Sequence, residues 1–372
     1  MKFKINKIDV LDVLSKIQGL TGRKSNLAIT ENVLIKTGDS NLTLIATDLE
    51  SGFEGVYPAK IESEGIIAIN ARKIYEIVRE FPSEEISFNE VENHWIEIGN
   101  KNVQYHIAGM NPDDFPEIPQ LEEIKFFEVN SEAFKKMIER TVMISGASDD
   151  KRAHINGVYF EILKTKDGNK VRMVSTDGSR LSLADTTVDE NPDILSEKGI
   201  IIPKKGLTEV GKFLDSEGFV KIGFKDNKFI IKKNTETIII RMLEGDFPQY
   251  EDIIIKGEGY SIKMDRHVFM MMLKRMSILS SDTYKGVIFK FKDNTLNINT
   301  TNPDIGESKE DLTIDFKGMP IEGSFNPKFF IDTLNVIDED SIYLHITDGE
   351  KPCIIEGEKD KNFISVIMPM RI

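Results

Sequence analysis

The apolar residues near position 75 recur with the period of an α-helix. Four of them stand at positions i, i+3, i+4 and i+7: Ile74, Ile77, Val78 and Phe81. This spacing places all four on one face, so the segment predicts a short amphipathic helix that packs on a sheet. Asn70 is a suitable N-cap for this helix, because its side chain can accept a hydrogen bond from the first turn.

The same order of helix, turn and strand returns at 203–224 and at 326–346. The three copies start at residues 70, 203 and 326, about a third of the chain apart. Alternating apolar and polar positions around each helix predict strands. We therefore predict six strand–helix–strand–strand–strand modules, paired into three similar α+β domains at 1–122, 123–255 and 256–372. The segments 113–119 and 244–250, which both contain Asp-Phe-Pro, are the predicted linkers.

Composition is consistent with folded domains in a reducing compartment. The chain has 372 residues, of which 40% are hydrophobic and 30% are charged. Its single cysteine, Cys353, cannot form a disulfide within the chain. Asp9 and Asp12 interrupt any apolar segment of a secretion signal, and no apolar run is long enough to span a membrane. We expect a cytoplasmic protein with no membrane contact.

The net charge of −14 argues against a nucleic-acid-binding protein when the chain is taken as a whole. The predicted helices, however, contain more basic than acidic residues, and the remaining segments are strongly acidic. If the helices share one side of the sheets, their basic residues form a surface suited to phosphate backbone. The alternative is an ordinary solvated face with pairs such as Lys135–Glu139. The helix residues that would form this surface are Arg72, Lys73, Arg79, Lys135, Lys136, Arg140, Lys204, Lys205, Lys212, Lys274 and Arg275.

No sequence motif points to catalysis, a metal or a cofactor. The chain has no phosphate-binding glycine loop, and its five histidines lack the spacing of metal ligands. Acidic pairs at 84–85, 113–114 and 149–150 could be imagined as the carboxylates of a carbohydrate-active hydrolase. They fall in predicted turns and linkers, where solvated charge is the usual explanation. We therefore expect a protein that is not an enzyme and that has no cofactor.

Several short segments together resemble one family. They are Thr-Asp-Gly-Ser-Arg-Leu-Ser at 176–182, Ile-Asn-Gly-Val at 155–158, the two Asp-Phe-Pro linkers and Met-Pro-Met-Arg-Ile at 368–372. Taken together, in their order along the chain and over its whole length, they resemble the bacterial DNA polymerase sliding clamps, the beta subunit of the replicative polymerase. The resemblance implies a DNA clamp fold in a head-to-tail homodimeric ring, with helices inside and sheets outside. Such a ring encircles duplex DNA, slides without sequence preference and acts as a processivity factor.

The resemblance also implies a peptide-binding pocket between the second and third domains. The replicative polymerase, the clamp loader and repair polymerases would dock there through short peptides. This chain departs from common family choices at Ser179, Asp252, Tyr284 and Phe329, so the resemblance implies the pocket but not its peptide preference. The implied pocket residues are Ile155, Thr176, Gly178, Ser179, Arg180, Leu181, Pro248, Asp252, Ile253, Tyr284, Asn326, Phe329, Ile342, Val366, Ile367, Met368, Pro369, Met370 and Arg371.

Two further groups of residues follow from the resemblance. Tyr105 of one subunit would meet Ile278 and Leu279 of the next in the ring interface; the alternative is that these side chains belong to the cores of their own domains. Basic rim residues would add to the DNA-facing helices: Arg23, Lys24, Lys151 and Arg152. A monomeric peptide-binding scaffold is the alternative function, and a hydrolase is a more distant one.

Overall fold

The computed structural model of the chain describes residues 1–21, 27–117, 123–144, 152–166, 168–189, 198–279 and 286–370. Its α-helices are α1 Lys7–Lys16, α2 Ala71–Glu80, α3 Ser131–Val142, α4 Ala153–Asn156, α5 Lys204–Phe213, α6 Arg266–Met276 and α7 Pro327–Asn335. Short 3₁₀ helices lie at Ile17–Gly19, Ala28–Glu31, Glu92–His94, Pro112–Asp114 and Ser277–Leu279. In these described parts, no helix is long and apolar enough to cross a membrane.

The strands follow the three repeats. The first third contains β1 Lys2–Asn6, β2 Asn32–Gly38, β3 Asn41–Thr47, β4 Ser51–Pro58, β5 Lys60–Ser63, β6 Gly65–Asn70, β7 Glu85–Glu90, β8 Trp95–Gly99 and β9 Gln104–Ala108. The second contains β10 Phe126–Asn130, β11 Gly157–Thr165, β12 Gly168–Thr176, β13 Arg180–Val188, β14 Ile200–Pro203, β15 Phe219–Lys225, β16 Lys228–Lys233 and β17 Glu236–Arg241. The last contains β18 Tyr260–Asp265, β19 Val287–Lys292, β20 Thr295–Asn302, β21 Gly306–Thr313, β22 Ile321–Phe325, β23 Ser341–Ile346, β24 Cys353–Gly357 and β25 Phe363–Ile367.

This order confirms the six predicted modules. Each one is a strand, a helix and three strands; only β5 and the single turn of α4 are additions. The predicted helix near position 75 is α2, and the side chain of Asn70 accepts a hydrogen bond of 3.0 Å from the backbone of Lys73. Ile74 and Val78 are buried, as the apolar spacing predicts.

The two modules of each repeat exchange their first strands. β1 pairs with β7 of the second module, and β6 pairs with β2 of the first module. The same exchange joins β10 to β15 in the middle repeat. In the last repeat it joins β18 to β23 and β22 to β19. Neither module of a pair therefore completes its sheet alone.

Sheets also continue from one repeat to the next. β4 pairs antiparallel with β17, and β13 pairs antiparallel with β25. These pairings create two sheets of eight strands each, in the orders β10-β15-β16-β17-β4-β3-β2-β6 and β14-β11-β12-β13-β25-β24-β23-β18. The remaining sheets are β5-β1-β7-β8-β9 and β21-β20-β19-β22.

Contacts therefore divide the chain into two compact units that differ from the three sequence repeats. The first unit is built mainly from Met1–Lys135 and Ile202–Met242, and the second mainly from Lys136–Val188 and Leu243–Ile372. The middle repeat contributes to both units, because its two sheets each join a neighbouring repeat. The domain boundaries at 122 and 255 remain predictions from the repeats.

Aromatic side chains fill part of the core of the second unit. The ring of Phe289 lies 5.1 Å from that of Phe330, 5.3 Å from that of Phe325 and 6.2 Å from that of Phe269. All four side chains are fully buried. Because these rings come from α6, α7, β19 and β22, they fix both helices against the sheet.

Replacing Phe289 with alanine should destabilise the protein by about 3–5 kcal/mol, since the large cavity cannot collapse among rigid rings. Urea unfolding followed by circular dichroism measures this change. Phe219→Ala is the matched control, because the Phe219 side chain is 58% exposed. It should cost less than about 1 kcal/mol; equal losses for the two variants would contradict the proposed core.

Candidate functional site

The turn between β12 and β13 is held by its own side chains. Asp177 accepts hydrogen bonds from the backbone amides of Ser179 and Arg180, at 3.0 and 3.1 Å. The hydroxyl of Thr176 donates to the carbonyl of Arg180 at 2.7 Å. Gly178 has φ +87°, a backbone conformation that glycine adopts without steric cost. The sequence Thr-Asp-Gly-Ser-Arg therefore encodes a rigid turn that presents Ser179 to solvent.

Arg180 joins this turn to helix α7. Its Nε donates to Asp177 at 3.0 Å, and its Nη1 donates to Asp332 at 2.7 Å. The guanidinium also lies 4.3 Å from the centre of the Phe329 ring. The Arg180 side chain is buried, so in this conformation it acts as a support for the site and offers little surface to a ligand.

The C-terminal strand runs along the same turn. Leu181 of β13 lies directly opposite Val366 of β25, and the backbone amide of Met368 donates to the carbonyl of Ser179 at 2.9 Å. The amide of Met370 donates to the carbonyl of Ser324 at 2.7 Å. These bonds place the exposed side chain of Met370 and the half-buried side chains of Met368 and Pro369 at one surface.

The segment 242–259 joins β17 to β18, contains the predicted linker 244–250 and is called the linker from here on. It packs on this sheet. Half-buried Ile253 covers a buried apolar cluster that contains Leu181, Val366, Ile354 and Tyr250. The predicted residues Leu181, Val366 and Ile253 are therefore in one cluster, with Ile253 nearer the surface. Pro248 and Asp252, on the same linker, are exposed.

A polar network anchors the linker at Tyr250. The Tyr250 hydroxyl donates to the Glu161 carboxylate and accepts a long hydrogen bond of 3.5 Å from Arg172. Arg172 also forms a two-bond ion pair with Asp185, at 2.7 and 2.8 Å. Burial raises the pKa of Glu161 above its usual value, and Tyr250 and Arg172 both oppose this rise. The Phe247 ring stacks on Tyr159 at 4.9 Å and adds an apolar anchor.

Other predicted pocket residues have different surroundings. Asn326 caps helix α7, where its side chain accepts a hydrogen bond of 3.0 Å from the amide of Lys328. Ile155, Ile342 and Ile367 are buried almost completely, so their side chains fill the interior and offer no appreciable surface for a peptide. This corrects the sequence-based expectation of direct contact, because a motif gives the position of a residue along the chain but not the direction of its side chain. Ile155 is on helix α4, and Ile342 and Ile367 are on strands whose side chains alternate between the two faces of the sheet.

The predicted basic surface is largely exposed but extensively paired. Arg72 and Lys73 both contact Glu76, at 2.9 and 3.0 Å, on the solvent side of α2. Other basic residues pair with acids as follows: Arg79 with Glu80, Lys136 with Asp338, Lys205 with Asp48, Lys212 with Glu209, and Arg275 with Glu310. Where both partners are exposed, as for Arg79 and Glu80, a pair contributes roughly 0–1 kcal/mol, so a phosphate group can compete for the cation. The acids that pair with Lys205 and Lys212 are largely buried.

Arg140 does not fit the predicted DNA-facing surface. Its side chain is only 8% exposed, and its guanidinium bonds Asp360 at 2.8 Å and lies 5.0 Å from the centre of the Phe363 ring. The Arg140 guanidinium therefore contacts residues of the second unit and is not available to a phosphate group. Helical periodicity placed Arg140 off the apolar stripe, but contact with β25 and its preceding turn covers it.

Lys204 and Lys135 are half-buried, whereas Lys274 and Arg152 are exposed. Five residues of the predicted sites lie outside the described part of the chain: Arg23, Lys24, Lys151, Tyr284 and Arg371. Within the described residues, no group of three or more His, Cys, Asp or Glu side chains could hold a metal ion.

The residues of the predicted ring interface are at or near sheet edges. Tyr105 lies on the edge strand β9 and is 37% exposed. Ile278 is 75% exposed and Leu279 is half-buried, in the 3₁₀ helix that contacts the edge strand β21. The alternative that Ile278 belongs to the core of its own domain is therefore wrong.

Sequence reasoning missed the residues that support the site. Asp332 completes the pairing of Arg180, and Glu161, Arg172 and Asp185 hold Tyr250. Tyr250 stood close to an Asp-Phe-Pro segment, which was a usable signal. Asp332 gave no signal, because a single acid on an amphipathic helix is ordinary.

The three repeats match three models of one family. These are the N-terminal domain of the DNA polymerase III beta subunit over residues 1–119, its central domain over 128–249 and its C-terminal domain over 252–371. The beta sliding clamp of Vibrio cholerae is 28% identical over 376 residues, with 100% of each chain covered.

Solved structures agree over the whole chain. A putative DNA polymerase III beta subunit from Eubacterium rectale has 27% identity and a TM-score of 0.90, with 100% of both chains covered. The sliding clamp of Bartonella birtlesii, solved bound to griselimycin, has 26% identity, a TM-score of 0.92 and 100% coverage of both chains.

The fold is thus the three-domain α+β fold of DNA clamps. The chain belongs to the family of DNA polymerase III beta subunits, the bacterial sliding clamps, which are non-catalytic processivity subunits in DNA replication.

Replacing Arg180 with methionine should destabilise the protein by about 3 kcal/mol, because Asp177 and Asp332 lose their shared cation in a buried setting. Chemical unfolding measures the loss. Lys198→Met is the control, since its ion pair with Asp246 is almost fully exposed; it should change stability by less than about 0.5 kcal/mol. Similar values for both variants would show that Arg180 is not a support.

Proposed function

We propose that two copies of this chain form a head-to-tail ring that encircles duplex DNA in the cytoplasm and slides along it without sequence preference. The ring tethers the replicative polymerase, the clamp loader and repair polymerases, which bind by short peptides. Membership of the sliding clamp family carries this proposal. The sheet pairing and the exposed side chains of this chain support it.

Strand pairing supports the head-to-tail arrangement. In four of the six modules, the last strand pairs with the last strand of another module. β4 of the first module pairs with β17 of the fourth, and β13 of the third module pairs with β25 of the sixth. The last strands of the other two modules, β9 of the second and β21 of the fifth, are edge strands of their sheets. The same pairing of last strands, between two copies of the chain, joins β21 of one subunit to β9 of the next.

Exposed apolar side chains beside these two edges support the same contact. Tyr105 is on β9, and Ile278 is in the 3₁₀ helix next to β21. A free strand edge with exposed apolar neighbours favours association, and a head-to-tail contact that closes on itself satisfies both edges. Residues Tyr105, Ile278 and Leu279 therefore form the proposed subunit interface.

The basic helix residues form the proposed DNA-facing surface, without Arg140. Arg72, Lys73 and Lys274 are exposed on α2 and α6, and lysine and arginine contact phosphate without reading bases. Contacts of this kind weaken steeply with salt, so a closed ring is needed for a lasting hold on DNA. The acidic remainder of the protein repels DNA from other surfaces.

The surface beside the Thr176–Leu181 turn is the proposed peptide site. The exposed residues Pro248, Ser179 and Met370 and the half-buried residues Ile253 and Phe329 belong to this proposed site. One leucine or phenylalanine side chain buried there contributes about 1.5–3 kcal/mol, which suits a weak and exchangeable contact. The related clamp solved with griselimycin shows that a member of this family binds a ligand.

Light scattering should give the wild-type protein a mass about twice that of its 42.2 kDa chain. Ile278→Asp should shift the population to monomer, because a carboxylate would be buried in the contact. Ile8→Asp is the control: Ile8 is 71% exposed on α1, outside the proposed interface. A monomeric wild type would overturn the ring and favour the monomeric peptide-binding scaffold.

Loading on nicked circular DNA, with a clamp loader and ATP, tests the ring itself. The loaded protein should survive high salt and leave only after the circle is cut. Neutralising three helix cations, with Arg72→Gln, Lys73→Gln and Lys274→Gln, should slow loading by about tenfold, since steering by the helix surface is lost.

The control variant neutralises three exposed lysines outside the helices, Lys221, Lys292 and Lys317, and has the same net charge. It should load at the wild-type rate. Rapid loss of wild-type protein from intact circles would refute encirclement, and equal slowing by both variants would refute the helix surface.

A further inference from the structure

A single carboxylate, Glu356 on β24, collects three partners. It accepts hydrogen bonds from Lys256 Nζ at 2.6 Å, from Lys361 Nζ at 2.7 Å and from His345 Nε2 at 3.1 Å. Glu356 is only 4% exposed. Burial raises its pKa, but the hydrogen bonds outweigh this and lower the pKa to about 2. The group is therefore a carboxylate at neutral pH, with more positive charge around it than it can neutralise alone.

The three partners come from different elements. Lys256 is on the linker that precedes β18, His345 is on β23, and Lys361 lies in the turn before β25. Burial lowers the pKa of His345, so the ring is neutral near pH 7 and its Nδ1 can accept a hydrogen bond of 2.5 Å from Ser261. In this tautomer the Nε2 of His345 carries the hydrogen and donates the hydrogen bond to the Glu356 carboxylate.

The linker is anchored at two points, and Asp252 and Ile253 of the proposed peptide site lie between them along the chain. Tyr250 and Phe247 hold its first half through Glu161 and the Tyr159 ring, as described above. Lys256 holds its second half through Glu356. Residues 251–255 span the gap in a series of turns, and they include Ile253 of the proposed site and the exposed Ile255.

Packing holds only part of the second half of this linker: Ile253 and Ile254 lie against the buried apolar cluster, whereas Ile255 is exposed. A cavity of about 390 Å³ lies beside it, lined by Ile253, Ile255, Lys256, His345 and Ile354 among others. Side chains that border open space can change rotamer at little cost. An ion pair to a buried carboxylate supplies the restraint that packing does not.

We propose that Glu356 is a positioning residue for the peptide site: its ion pair with Lys256 holds the linker so that Ile253 and Asp252 form one wall of the site. The proposal rests on the peptide site proposed above. Glu356 itself touches no peptide. Its removal leaves two ammonium groups without their shared counter-charge, and the exposed end of the linker, with Lys256, moves away.

Lys361 provides a matched control within the same cluster. Its ion pair with Glu356 is as short as that of Lys256, and both lysines are partly exposed. Lys361, however, is outside the linker. A general loss of stability on breaking the cluster would affect the Lys256 and Lys361 variants alike, whereas a positioning role makes them differ.

The test measures affinity for a fluorescein-labelled short synthetic peptide that contains leucine and phenylalanine, by fluorescence anisotropy on the full-length protein. Glu356→Gln and Lys256→Met should each weaken binding by about tenfold, and the double variant should be no weaker than either single one. Lys361→Met should change affinity less than about twofold. Deletion of Met368–Ile372 is the control for loss of the site.

Hydrogen exchange of the backbone amides of 251–259 is the second readout, and it does not depend on peptide. Exchange should rise in Glu356→Gln and Lys256→Met but not in Lys361→Met. The positioning role would be overturned if the wild-type protein binds the peptide and if Glu356→Gln and Lys256→Met have the same peptide affinity and the same amide exchange as the wild type. If wild type binds no peptide, the peptide site fails, and the exchange result still decides whether Glu356 holds the linker.

Discussion

Antiparallel pairing between strands of different modules is the constraint on which this structure depends. In the first repeat, each module completes its sheet with the first strand of its companion. Pairing of β4 with β17 and of β13 with β25 then fuses neighbouring repeats. Backbone hydrogen bonds are lost if either strand shifts, so the repeats are fixed relative to their shared sheets. The same kind of pairing, between the edge strands β9 and β21 of two copies, is the basis of the proposed head-to-tail ring.

The candidate peptide site is a consequence of one of these fusions. Because β25 pairs with β13, the C-terminal residues run beside the turn that contains Gly178. Buried ion pairs then hold the surrounding segments in place: Arg180 ties the turn to α7, and Glu356 ties the linker to β24. The exposed surface of the site combines apolar Pro248 and Met370 with polar Ser179 and Asp252, while Arg180 and Glu356 beneath it are charged and buried.

Charge has two different uses in this protein. Cations on the helices form exposed pairs of low energy, so they remain accessible to phosphate. Arg140, Arg180 and Lys256 instead contact carboxylates in buried or half-buried surroundings, where they hold elements together. The distinction between the two uses is burial, which the charge pattern along the chain does not contain.

The sequence by itself determined the local structure and the repeat. The spacing of Ile74 and Val78, and the cap at Asn70, depend on neighbours within a turn or two, so α2 and its module could be predicted. Only the tertiary structure decided that modules exchange strands, that Arg140 is covered and that Asp332 completes the Arg180 pair. These contacts join residues far apart in the chain, and any lysine or arginine can pair with any nearby carboxylate. The choice among them is made by the three-dimensional path of the backbone.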